Sequence, residues 1–206
     1  RTASVTREPS GPHAVAATRA SEGDTLAYRL DVKLDSDKHR LSGSGTIRWQ
    51  NTSAIAQRRL FVHLYLNAFK NERTVFMRSP AGLGFRGSAK PTQWGWIEVD
   101  ELLVNGSNIW PGTKSQRVST AGDERDETDI EVALPEAVPP GHTLELTVKW
   151  RAQLPSVVLR TGFYKRFHMV GQWFPKLAKL EPSGAWAHFP FERLSEFYAD
   201  FATYDV

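Results

Sequence analysis

The sequence predicts an all-β fold, an antiparallel β-sandwich or saddle of sheets with little helix, and three observations carry that expectation. Apolar residues recur with period two in separate segments along the chain, as half-buried strands require. Turn-forming residues such as Asp35-Ser36, Asn105-Gly106 and Pro139-Pro140 separate those segments. No long, capped stretch shows the 3.6-residue period of an amphipathic helix, and no internal repeat is evident.

Residues 1–23 mix Ser, Thr, Ala, Pro and Gly without either period, so little there repays the entropy of ordering, and the segment reads as a flexible leader or linker. A single domain is expected over residues 24–206. Leu26, Tyr28, Leu30, Val32 and Leu34 alternate with Arg29, Asp31, Lys33 and Asp35, and after the Asp35 to Lys38 turn the pattern resumes from Leu41 to Gln50. These two strands predict a hairpin. In the next strand Leu60, Val62, Leu64 and Leu66 alternate with Phe61, His63, Tyr65 and Asn67, so both faces are largely apolar and the strand is expected to be central. From Ala68 to Gln93 the pattern dissolves into a loop of unusual length, the kind that tends to be functional or mobile. Trp94 to Val104 reads as two short strand pieces ending in an Asn-Gly hairpin turn. The acidic run from Asp123 to Asp129 reads as a solvated loop tip, followed by strands at Ile130 to Leu134 and Leu144 to Trp150. Phe197 to Val206 alternates once more and stops without turn residues, which predicts a chain cut within a strand.

Composition narrows the function classes. A chain of 206 residues with 40% hydrophobic content can bury a sizeable core without metal or disulfide. Lys and Arg exceed Asp and Glu by only three charges, which implies no nucleic-acid partner. No apolar run approaches the roughly 18 to 20 residues of a membrane span. Cysteine is absent, so there is no disulfide framework, thiolate nucleophile or cysteine-ligated zinc.

The motifs of catalysis are missing from the sequence. There is no H-E-x-x-H, no G-x-S-x-G and no P-loop, and Gly43-Ser44-Gly45 lacks the remainder of a dinucleotide fingerprint. His13, His39, His63, His142, His168 and His188 have no ligand-like spacing, so neither a catalytic residue nor a metal ligand is assigned. The acidic run lacks the pattern of a calcium loop. Trp94 and Trp96 lie near an irregular loop and could stack on sugar rings or peptide side chains, whereas Trp49, Trp150 and Trp173 are expected to fill the core.

One block of sequence is more specific. Gly171-Gln172-Trp173-Phe174-Pro175-Lys176-Leu177-Ala178, followed by Gly184-Ala185-Trp186 and by the aromatic strand from Ser195 to Val206, resembles the closing segment of the N-terminal domain in bacterial aminopeptidase N-type (gluzincin) zinc metallopeptidases. Tyr28 to Val32, Leu41 to Gly45, Leu60 to Phe69 and Val104-Asn105-Gly106 resemble earlier parts of the same domain in the same order, so the resemblance spans about Thr25 to Val206. It implies a saddle-like β domain packed on a thermolysin-like catalytic domain, which this chain lacks and where zinc is expected. The implied partners are that catalytic domain, from the same parent chain, and a peptide substrate; the implied location is secreted or periplasmic. Family members also hold the substrate's free α-amino group with an amide or acid from this domain. Lys165 to Met169 supply neither here, which leaves Gln172, closer to Pro175 than in the family pattern, as the candidate substrate-binding residue, with structural hydrogen bonding as its other use. Two further readings stay open: an independent β-sandwich binding module for carbohydrate or protein, and a parent that kept the domain without peptidase chemistry.

Overall fold

The structure, a computed structural model, describes residues 25–80, 82, 93–111, 118–119, 126–156, 160–192 and 198–206. The leader expected over residues 1–23 lies outside them. Strands β1 (Leu26–Asp35) and β2 (Arg40–Gln50) form the expected hairpin in unbroken register, from Leu26 opposite Trp49 to Asp35 opposite Arg40. The other side of β2 pairs along its whole length with β8 (Thr143–Gln153), and β8 in turn pairs with β4 (Trp96–Val104). The Asn105-Gly106 turn, with φ of 50° and 79°, folds β4 back onto β5 (Ser107–Asn108). At the far edge β14 (Thr203–Asp205) lies parallel to β1, an exception to the antiparallel pairing expected throughout. Among the described residues this larger sheet therefore runs β14-β1-β2-β8-β4-β5.

A smaller sheet runs β11 (Lys176–Leu177), β3 (Gln57–His63), β7 (Asp129–Val138), β6 (Val118–Ser119). β3 is central, as its two apolar faces predict, and Leu60, Phe61, Val62 and His63 are all buried. Among the described residues two short ribbons accompany these sheets: β9 (Gly162–Tyr164) with β10 (Phe167–Met169), and β12 (Lys179–Leu180) with β13 (Trp186–Ala187). Leu30, Ile47, Leu146, Val148 and Trp150 from the larger sheet share one core with Leu60, Val62, Ile130 and Val132 from the smaller. A glycine at 43 is what lets the Trp150 indole lie flat there, since a Cβ would fall 2.2 Å from its ring.

Three elements differ from the period-two reading. Trp96 to Val104 is one strand, not two pieces: a bulge between Val99 and Glu101 turns both Asp100 and Glu101 outward and restores Leu102 to the core, so the break in alternation marks a local kink rather than an end. β3 stops at His63 because the backbone coils into a 3-10 turn at Tyr65–Phe69, all of it buried. The Ala68 to Gln93 segment is not a free loop where it is described. Ala68, Phe69, Phe76 and Met77 lie in the core, and a single helical turn, α1 (Val75–Arg78), starts at Thr74, whose hydroxyl accepts the Met77 N–H at 3.2 Å. Edge-to-face contacts among Phe69, Phe76 and Phe191, with ring centroids 5.3 to 5.5 Å apart, hold it there. Of the final strand, Phe197 lies outside the described residues and only Thr203–Asp205 pairs.

Candidate functional site

The Gln-Trp-Phe-Pro block is clamped by two side chains rooted in the larger sheet. The buried Trp150 indole donates to the Trp173 carbonyl at 3.0 Å, and the buried Tyr28 hydroxyl accepts the Leu177 N–H at 3.0 Å. Desolvation raises the Tyr28 phenol far above its ordinary range, so it stays a neutral partner. Phe174 packs edge-on to Tyr28 at 5.4 Å, and Tyr204 from β14 stacks on Tyr28 at 5.2 Å. The sequence therefore brings its most specific block and its last strand to one place.

Gln172 sits half-buried at the mouth of this clamp with φ of +53°, a left-handed conformation that costs a glutamine. The strain is held from the N-terminal side. Thr161 Oγ1 donates to the Gly171 carbonyl at 2.9 Å and accepts the Gly171 N–H at 3.3 Å, and a Cβ at 171 would meet the Arg160 carbonyl at 2.5 Å. Just upstream, the β9–β10 ribbon carries Tyr164, Phe167 and Met169 with 61%, 65% and 49% of their surface exposed, an apolar face beside Gln172. The ribbon is fastened to the β1–β2 turn by His39, whose ring stacks on Phe163 at 3.5 Å while its Nδ1 lies 2.9 Å from His168 Nε2.

A second polar group lies between β3 and the chain after β13. His63 is buried in contact with the Tyr65 ring at 4.4 Å, and its ring nitrogens have no hydrogen-bond partner among the described residues. Burial, then the charges of Lys176 and His188, hold its imidazole down to about 3, so it is neutral at ordinary pH. Burial alone lowers the Lys176 amine, opposite His63 on β11, to about 8. His188 Nδ1 is 2.9 Å from Asp129 Oδ2, with its ring stacked on Phe61 at 3.8 Å. Sequence reasoning passed over this group, although a histidine in a strand apolar on both faces was the available signal.

The acidic run is not the solvated tip expected. Residues 123–125 lie outside the described residues, but Asp126, Glu127, Thr128 and Asp129 are buried. Asp126 accepts the Val75 N–H at 2.7 Å and the Thr128 N–H at 3.0 Å, while Glu127 pairs with Lys70. Carboxylates with that many partners can enter an interior that a bare charge run cannot. His13 lies outside the described residues and His142 is exposed, and among the described residues no three His, Asp or Glu side chains form a metal-ligating group. Trp49 and Trp150 fill the core as expected, while Trp173, Trp94 and Trp96 are only half-buried.

No protein-family model and no curated protein matches the chain. Similar solved structures are M1 zinc metallopeptidases. That from Deinococcus radiodurans has a TM-score of 0.38 and 18% identity over 70% of this chain and 24% of its own. A mutant of it bound to a Tyr-Ser-Ala substrate has 0.39 and 19% over 68% and 24%, and a two-domain M1 zinc metallopeptidase mutant bound to L-arginine has 0.39 and 17% over 70% and 24%. The chain thus spans about a quarter of the length of each.

Proposed function

We propose that this chain is the N-terminal β domain of a secreted or periplasmic zinc metallopeptidase of the aminopeptidase N type, non-catalytic in itself, which supports the catalytic domain and closes one side of the substrate cleft. The observation that carries this reading is the Gln-Trp-Phe-Pro block: the residues that carry the sequence resemblance are those that Trp150 and Tyr28 fix in place, with Gln172 strained at their head. The exposed Tyr164, Phe167 and Met169 beside it suit a surface that another domain covers. In this reading the metal belongs to the catalytic domain, where zinc would polarise the scissile carbonyl and activate water. What this chain contributes is position: the Gln172 side-chain carbonyl, enclosed in the structure of this domain, turns outward in the assembled cleft to accept a hydrogen bond from the α-ammonium of the substrate and so sets the register of the first peptide bond.

The test uses the full-length product of the gene. It should contain zinc and hydrolyse a peptide with a free amino terminus. Gln172→Ala should raise KM for that peptide by roughly 10-fold or more, as loss of a hydrogen bond to a charged group does, and leave its N-acetylated counterpart unaffected. A product without zinc or peptidase activity would overturn the metallopeptidase function proposed here; equal effects on both peptides would leave Gln172 a purely structural residue.

A further inference from the structure

We infer that the recess at the β1–β2 turn end of the larger sheet binds an anionic oligosaccharide, with Trp96 as its stacking wall and Lys33 and Arg40 as the groups that recognise charge. The cavity measures about 290 Å³ and faces solvent. Lys33, Lys38, Arg40 and Arg151 line it against one carboxylate, Asp35, and Trp96 stands across the sheet from Lys33. Strand register builds it: Asp35, Arg40, Gln153 and Trp96 fall in one row across β1, β2, β8 and β4, with Lys33, Ser42, Arg151 and Glu98 in the next, where Glu98 faces Arg151 at the far side from Lys33.

Two of the four cations are already neutralised. Lys38 pairs with Asp35 at 2.9 Å, and Arg151 with Asp100, which the β4 bulge turns outward, at 2.6 Å. Lys33 and Arg40 have no carboxylate partner among the described residues, and their diagonal cross-strand positions set their backbones roughly 7 to 8 Å apart. Arg40 is also held in place: its Nε donates to Gln153 Oε1 at 2.9 Å, while Gln153 Nε2 donates to the Lys38 and His39 carbonyls, each at 3.1 Å. The remaining N–H groups of the guanidinium are thereby presented with little entropy left to lose. A half-buried indole on an otherwise charged face needs a reason, and the apolar face of a sugar ring supplies one. A free inorganic anion would use the charges and not the indole. A long polyanion is disfavoured because Asp31, Asp100 and Glu101 alternate with the cations over the rest of the face. The inference does not depend on the metallopeptidase reading, since it involves neither zinc nor Gln172.

The test is calorimetric titration of the full-length product with a hexauronate, its methyl ester, and a single-stranded hexanucleotide. The hexauronate should bind at least 10-fold more tightly than the uncharged ester and than the oligonucleotide. Trp96→Ala and Arg40→Gln should each weaken it at least 10-fold, whereas Lys149→Gln, which removes the same charge from an ion-paired site on the same face, should leave it unchanged. Thermal melts identify a variant that fails to fold; Trp96→Phe then replaces Trp96→Ala and should retain binding. No binding to the hexauronate, an equal loss in Lys149→Gln with none in Trp96→Ala, or tighter binding of the oligonucleotide would each overturn the inference.

Discussion

Replacing His63 with phenylalanine should make the protein markedly less sensitive to acid. The imidazole is 1% exposed and titrates at about 3 when folded, chiefly because burial disfavours its charged form, against 6.5 for an ordinary histidine. Between those two values the unfolded chain binds a proton that the folded chain refuses. Stability therefore falls as pH falls below 6.5, by about 1.4 kcal/mol per pH unit, and levels off near pH 3. From pH 7 to pH 4 the loss from this one residue amounts to about 3 kcal/mol, a large share of the stability of a small domain. Phenylalanine keeps a ring against Tyr65 and Phe189 and carries no group to protonate. Urea unfolding of both proteins at pH 7 and pH 4 isolates the effect, since the other carboxylates and histidines titrate in both. The wild type should lose about 3 kcal/mol more than His63→Phe over that interval, and a wild type already unfolded at pH 4 beside a folded variant counts the same way. Equal acid sensitivity in the two proteins, or a His63 ring that titrates near 6.5 in the folded state by NMR, would refute the reasoning.

Lys176, lowered to about 8 by burial, should react with an amine-directed acylating reagent at pH 8 ahead of the ion-paired Lys38 and Lys149, which peptide mass spectrometry resolves. Because the unfolded amine holds its proton up to 10.5, stability should rise with pH between about 8 and 10.5, and Lys176→Met should flatten that rise in urea titrations. Asp126→Ala strands the Val75 and Thr128 N–H groups and should destabilise the protein by about 2 to 4 kcal/mol, with Asp126→Asn intermediate, as measured by thermal melting.

The strands were legible because burial of one face imposes a period of two that needs no knowledge of the partner strand. Leu26, Tyr28 and Leu30 on β1 and Leu146, Val148 and Trp150 on β8 point inward as their spacing predicts. Legibility failed where the backbone left the period. The bulge at Asp100 looked like a strand end, and the 3-10 turn at Tyr65–Phe69 continued the alternation of β3 in sequence although not in space. It failed again for Asp126 to Asp129, since charge alone reads as solvent exposure and the partners that permit burial, Val75, Lys70 and His188, lie 51 to 59 residues away. Of the candidate site, Gln172 could be named from its motif, but its positive φ could not, because that depends on Gly171 packing against the Arg160 carbonyl.

The sequence by itself determined that this is a β protein with a central apolar strand and an Asn-Gly hairpin, and that it contains no H-E-x-x-H motif, since periodicity, turn chemistry and motif are local properties of the chain. Only the tertiary structure decided which isolated side chains meet. It brought His39 to His168 and His63 to Lys176, set β14 parallel to β1, and placed Trp96 across a recess from Lys33 and Arg40. Such meetings are fixed by strand register and by the route of the connections, which depend on how every strand packs at once, and no window of sequence contains that information.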